Sequence, residues 1–243
     1  MVAIAGASVA TLCLLYLGAR ETPVFAVRTI DIQVAGSPDV QQVVRNATQW
    51  VEGKSLVALD GGALIGDLEA LPAVRSATYD RAFPNTLRIF VQPERPLAIV
   101  HLGSDRWVVS DRGRVIRSAR PESIPRLPQF RLLGHPAVQP GSFLSDPRGR
   151  VVLNALALIP KGFPARVYAA RLESGELTLL LRARWGRPEL RLGLPVDVAR
   201  KLAAAAVVIR ALSGDERGSI GYVDASLPER VVVGPTLNPQ VEG

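Results

Sequence analysis

The N-terminal segment constrains the chain most, because residues 2–19 contain no charged side chain. A helix that spans a membrane needs about 20 predominantly apolar residues, within a range of about 17–25. Arg20 and Glu21 end the uncharged run, and Pro23 would stop a helix soon afterwards. We therefore predict a transmembrane helix over residues 1–19. Two other interpretations stay open: a cleaved signal peptide, which usually begins with basic residues, and a buried core helix.

The composition of the chain is typical of folded domains and argues against a nucleic-acid partner. Of the 243 residues, 48% are hydrophobic and 21% are charged. The net charge of +7 comes from basic residues that are spread along the chain, and aromatic residues make up only 5%. Nucleic-acid-binding surfaces usually combine a basic patch with aromatic side chains. We expect no nucleic acid among the partners.

Side chains that could carry catalysis or bind a metal are few. Cys13 is the single cysteine, so the chain forms no internal disulfide. His101 and His135 have no second histidine or cysteine at ligand spacing. Asp224 lies in a late predicted strand and is expected to make a structural hydrogen bond. We therefore expect no enzymatic activity, no cofactor, no metal and no small-molecule substrate.

The residues that follow the uncharged run predict a small domain with the order strand, helix, helix, strand, strand. Alternation of β-branched and polar residues over 25–35 predicts the first strand. The first helix has one apolar face, formed by Val40, Val43, Val44 and Ala47. Asp60 is the predicted N-cap of the second helix, which Pro72 ends. Two strands at 74–82 and 86–91 complete the domain, with Leu71, Val74 and Leu87 expected in its core.

The remaining residues predict a second domain that consists mainly of strands. The expected strands are at residues 107–110, 114–117, 166–172, 176–182, 189–192, 222–225 and 230–233. Two helices are expected at 147–159 and 196–212, and the second has an apolar face formed by Val198, Leu202, Ala205 and Ile209. A proline-rich loop is expected over 121–140.

A series of short motifs runs through both domains. It consists of FAV at 25–27, VAG at 34–36, GKSL at 53–56, LPAVRSA at 71–77, RAFPNTL at 81–87, ERP at 94–96, VSDRGRV at 109–115, LP at 127–128, Gly193, YVD at 222–224 and VVV at 231–233. In its order and spacing this series resembles the FtsQ/DivIB family of bacterial cell-division proteins. The resemblance extends from residue 25 to about residue 233.

The resemblance implies an α+β architecture with four segments. These are a transmembrane helix at 1–19, a POTRA domain at 25–93, an FtsQ-type β domain with two helices at 95–235, and a flexible tail at 236–243. Among the departures from the family pattern, Ser226 and Leu227 stand where many members have an Arg-Tyr pair.

The resemblance also implies a function. It indicates a non-enzymatic, membrane-anchored divisome scaffold that links early and late division proteins and helps to control septal peptidoglycan synthesis. The implied partners are FtsB/DivIC-like and FtsL-like coiled-coil proteins. The implied location is the plasma membrane at the septum, as a single-pass type II protein with extracytoplasmic C-terminal domains. Two alternatives stay open: a POTRA-type chaperone or assembly module of a secretion or outer-membrane pathway, and a membrane-anchored wall-modifying enzyme.

The last predicted strand is the candidate site for a partner. Its sequence is short, β-branched and bracketed by proline and glycine, which is equally compatible with an interior strand. Because it is the last strand, and because the resemblance places partner binding near the end of this domain, we expect an open edge to which a partner adds a strand. The candidate residues are Pro228, Glu229, Arg230, Val231, Val232, Val233 and Gly234.

The predicted membrane topology can be tested with a protease. If residues 1–19 span the membrane uncleaved, with Arg20 onward outside, protease added to spheroplasts should digest the C-terminal domains of the protein. A protected C-terminus, or a mature protein that begins near Thr22, would contradict this topology.

Overall fold

The computed structural model describes residues 23–119, 126–133, 138–212 and 220–235. The chain divides between Glu94 and Arg95 into two compact units. The predicted transmembrane helix, the predicted tail and His135 lie outside the described residues. Within the described ranges, no helix is long and apolar enough to cross a membrane.

The first unit contains a three-stranded sheet with strand order β1-β3-β2. Its strands are β1 (Thr29–Val34), β2 (Val74–Ala82) and β3 (Thr86–Pro93). The central strand β3 pairs in parallel with β1 and antiparallel with β2. The short turn between β2 and β3 allows their antiparallel pairing, and the two helices connect β1 to β2.

Two helices pack on the sheet of the first unit, α1 (Pro38–Ala47) on β1 and α2 (Gly61–Ala70) on β2. Asp60 caps α2 as predicted, because its Oδ1 accepts a hydrogen bond from the N–H of Ala63 at 3.1 Å. Gly61 allows the helix to approach the sheet closely, since a Cβ there would overlap the side chain of Tyr79.

Most of the residues that were predicted to lie in the core of the first unit are buried there. Val74 and Leu87 are completely buried, and Leu71 is partly buried against the same core. The prediction was wrong for Val43, which is 43% exposed although it has helical spacing to the buried Val40 and Val44. Helix α1 lies on the edge strand β1, so only a narrow stripe of its surface is covered.

The second unit contains a nine-stranded sheet with the order β12-β11-β10-β9-β8-β7-β4-β5-β6. The strands are β4 (Pro96–Leu102), β5 (Asp105–Ser110), β6 (Val115–Ser118), β7 (Gln129–Leu132), β8 (Arg166–Glu173), β9 (Glu176–Arg182), β10 (Glu189–Gly193), β11 (Ile220–Asp224) and β12 (Val232–Pro235). Most neighbours are antiparallel, but β4–β7, β7–β8 and β10–β11 are parallel.

Two helices cover the large sheet, α3 (Pro147–Ala157) on β4, β7 and β8, and α4 (Val198–Ala211) on β10. The predicted inner face of α4 is confirmed, because its four residues, Val198, Leu202, Ala205 and Ile209, are all buried. The described residues thus form a mixed α and β structure with four helices, in which the second unit is mainly β.

Two predictions about the second unit need correction. Strand β7 lies inside the segment that was expected to be a proline-rich loop. The last strand begins at Val232 rather than at residue 230. The preceding residues form a turn, in which the N–H of Arg230 donates to the carbonyl of Leu227 at 3.0 Å.

Candidate protein-binding edge

The last strand, β12, lies at one end of the large sheet and pairs antiparallel with β11. Among the described residues, no strand lies on its other side. An edge strand of this kind presents unpaired main-chain N–H and C=O groups along its outer side. Which groups point outward depends on the register of β12.

The pairing of β11 with its inner neighbour defines that register. The N–H of Ala225 donates to the carbonyl of Arg191 in β10 at 2.8 Å. Main-chain groups of successive strand residues point to opposite sides, so those of Tyr222 and Asp224 point toward β12. Their partners across the pair are Gly234 and Val232.

The alternation along β12 leaves Val233 as the outward residue at the centre of the edge. Val232 and Gly234 direct their main-chain groups toward β11, whereas Val233 lies opposite Val223 in a pair without mutual hydrogen bonds. The next outward residue is Pro235, which has no N–H to offer. A proline in a sheet is tolerated at such a position because the missing donor faces away from the ladder.

An aromatic contact fixes this register. Tyr222 lies opposite Gly234, and a Cβ at Gly234 would overlap the Tyr222 ring. The guanidinium carbon of Arg191 lies 4.2 Å from the centroid of the same ring, on the neighbouring strand β10. A cation held over an aromatic face in this way contributes roughly 0.5–1 kcal/mol at exposed sites. The ring is therefore held between a glycine on one strand and an arginine on another.

The turn that leads into β12 is held by short polar contacts. Asp224 Oδ1 accepts a hydrogen bond from the N–H of Ser226 at 2.9 Å, which confirms the structural role predicted for this carboxylate. Arg200 of α4 forms an ion pair with Glu229 at 2.8 Å, although both side chains are largely exposed. An exposed ion pair contributes about 0–1 kcal/mol, so it orients the turn more than it stabilises the fold.

A buried lysine links the same region to α4. Lys201 is 6% exposed, and its Nζ donates at 2.8 Å to the carbonyls of both Leu192 and Leu194. Gly193 between them has a φ of +59°, and a Cβ there would lie 3.0 Å from the Cβ of Ser226. The end of β10, the start of the β11–β12 turn and helix α4 are thus held together.

Among the described residues, the side chains that could take part in catalysis or metal binding do not form a second candidate site. Nε2 of His101 lies 2.9 Å from Oε1 of Gln129, and both line a surface depression of about 440 Å³ between β7 and β8. In the part of the chain that the structure describes, no three His, Cys, Asp or Glu side chains group as metal ligands would.

The structure places the seven candidate residues in a turn, in β12 and at the position between the two. Pro228, Glu229 and Arg230 belong to the turn, Val231 follows it, and Val232, Val233 and Gly234 lie in β12. Sequence reasoning missed Tyr222, Gly193 and Lys201 as residues that hold the edge in place. The sequence offers no signal that Tyr222 and Gly234 are cross-strand partners, since that depends on the register.

Comparison with known proteins is consistent with this architecture. Residues 25–94 match the family model of the FtsQ-type POTRA domain. The cell division protein FtsQ of Corynebacterium glutamicum is 26% identical over 113 residues, which cover 46% of this chain. The matched region spans 50% of that relative's length.

The strand and helix order of the first unit and the family-model match define that unit as a POTRA domain of the FtsQ type. The match to the relative, over 113 residues, is longer than the match to the domain model, and the relative is a named cell division protein. Together the two matches confirm the resemblance to the FtsQ/DivIB family that the motif series indicated.

The contact between Tyr222 and Gly234 predicts a coupled effect on stability. Gly234→Ala should lower the free energy of unfolding of the second unit by about 1–3 kcal/mol, because the new methyl group displaces the ring. In a Tyr222→Ala background the same change should cost less than about 0.5 kcal/mol. Denaturant unfolding can be followed by Trp107 and Trp185, with Trp50 replaced by Phe so that only the second unit reports. Equal costs in the two backgrounds would show that the ring does not cover Gly234.

Proposed function

We propose that this chain is a non-enzymatic, membrane-anchored scaffold of the division machinery that binds a partner by strand addition at β12. The observation that carries the proposal is the outward direction of the Val233 main chain at the end of a nine-stranded sheet. The FtsQ-type POTRA domain and the similarity to a cell division protein support the setting in division.

The partner in this proposal is an FtsB/DivIC-like coiled-coil protein, with an FtsL-like protein in the same assembly. The partner contributes an extended segment that pairs with β12, and main-chain hydrogen bonds supply much of the affinity. The affinity that these main-chain hydrogen bonds supply depends little on the residue types in the preceding turn. It therefore tolerates Ser226 and Leu227, which differ from the pair found in many family members.

The same turn supplies specificity. Leu227 is 61% exposed, and Glu229 and Arg230 are exposed beside it. An exposed apolar side chain followed by two charged ones can select the residues that flank the partner's added strand, while the strand itself supplies the register. The scaffold, anchored by residues 1–19 with its domains outside the cytoplasm, links early and late division proteins and helps to control septal peptidoglycan synthesis.

A pair of proline substitutions tests the role of β12. Val233→Pro removes an N–H that points away from β11, so the domain should stay folded while co-purification with the FtsB/DivIC-like partner is lost. Val232→Pro removes an N–H that points toward β11, so it should lower the free energy of unfolding by about 1–3 kcal/mol.

The matched control is Val233→Ala, which shortens the same side chain but keeps the N–H. It should retain most of the partner binding, because strand addition depends on the main chain. If Val233→Pro unfolds the domain, β12 is not an edge in the protein. If Val233→Pro folds and still binds the partner, the partner binds elsewhere.

A further inference from the structure

One end of the POTRA domain carries exposed apolar side chains. We define the aromatic end as Val24, Phe25, Trp50, Lys54 and Phe83. Val24 is 55% exposed, Trp50 37% and Phe83 58%. The other large apolar side chains that are exposed in the described part of this domain, Val43 and Phe90, lie on helix α1 and strand β3.

Main-chain hydrogen bonds hold the three segments of the aromatic end together. The N–H of Val27 donates to the carbonyl of Lys54 at 2.9 Å, and the N–H of Leu56 donates to the carbonyl of Phe25 at 2.8 Å. The N–H of Arg28 donates to the carbonyl of Asn85 at 2.9 Å, which brings in the β2–β3 turn. The exposed side chains are therefore displayed on a fixed backbone.

The side chains themselves make two contacts at this end. The rings of Phe25 and Phe83 meet edge to face, with centroids 5.8 Å apart. The Nζ of Lys54 lies 4.3 Å from the centroid of the Trp50 ring. Tryptophan is enriched where a membrane meets water, because its ring is apolar at one end and polar at the other. A lysine beside it can keep its ammonium group in the headgroup region.

From these observations we infer that the aromatic end lies in the headgroup region of the membrane and orients the POTRA domain on the lipid surface. The uncharged run ends at residue 19 and the described structure begins at Pro23. Four residues span at most about 14 Å, so a membrane anchor keeps Pro23 within that distance of the bilayer. This inference shares the anchor with the proposed function and is independent of β12.

Charge has a smaller part in this contact than the aromatic rings have. Arg28 and Lys54 are partly balanced by Glu52, which is exposed in the same loop as Lys54. The contact should therefore form on both zwitterionic and anionic vesicles. An interaction that depended only on anionic lipid would be lost at high salt, whereas insertion of rings into the interface persists.

Tryptophan fluorescence of the full chain in lipid vesicles tests the inference. The variant with Trp107→Phe and Trp185→Phe keeps Trp50 as its single tryptophan. In vesicles that contain brominated lipid, Trp50 emission should be quenched relative to the same protein in vesicles of unbrominated lipid. The quenching should remain at high salt.

A matched control places the probe on β3, at the end of that strand that lies away from the β2–β3 turn. The control variant carries Trp107→Phe, Trp185→Phe and Trp50→Phe, so that Gln92→Trp on the exposed face of β3 is its single tryptophan. Gln92 lies six residues beyond Thr86, so along a strand it is about 20 Å from the β2–β3 turn. Emission from this probe should be unaffected by brominated lipid.

Three results would overturn the inference, and they separate its parts. If the protein does not float with the vesicles, the anchor is wrong and that part of the proposed function fails as well. If it floats and Trp50 is unquenched, the anchor stands but the aromatic end does not touch lipid. If both probes are quenched equally, the domain is immersed without a preferred orientation.

Discussion

The ring of Tyr222, which lies over the backbone of Gly234, is the contact on which the binding edge depends. A shift of β12 by one residue would reverse every side chain and every main-chain group of the strand. It would also place Val233 or Pro235 under the ring, where a Cβ does not fit. The contact therefore determines that Val233, rather than Val232 or Gly234, directs its main chain away from the sheet.

The position of the edge depends in turn on contacts behind it. Lys201 binds two carbonyls at the end of β10, and Gly193 between them packs against Ser226 at the start of the final turn. Lys201 belongs to α4, the helix that covers this part of the sheet. The helix therefore also helps to position the β11–β12 hairpin. Binding at β12 would thus act on a preformed surface, which limits the conformational entropy lost on association.

Local patterns in the sequence were enough to predict most helices and strands. They were not enough to predict which of these elements pack or pair with one another. Helix α4 is predicted well because its apolar spacing alone determines which face is buried. Val43 has the same spacing yet is exposed, since α1 covers only an edge strand. Strand β7 was not predicted because it lies in a proline-rich segment. Its position between β4 and β8 depends on long-range parallel pairing, which no local periodicity of the sequence indicates. The final strand was found near its true position, but its outward residue could be identified only from the register with β11.

Amide hydrogen exchange at three successive residues tests the central claim that β12 is an open edge to which a partner adds a strand. In the free protein, the amides of Val232 and Gly234 should be protected and that of Val233 should exchange rapidly. With the FtsB/DivIC-like partner bound, Val233 should become protected while its two neighbours change little. Protection of Val233 in the free protein, or rapid exchange of Val233 in the complex, would contradict the account.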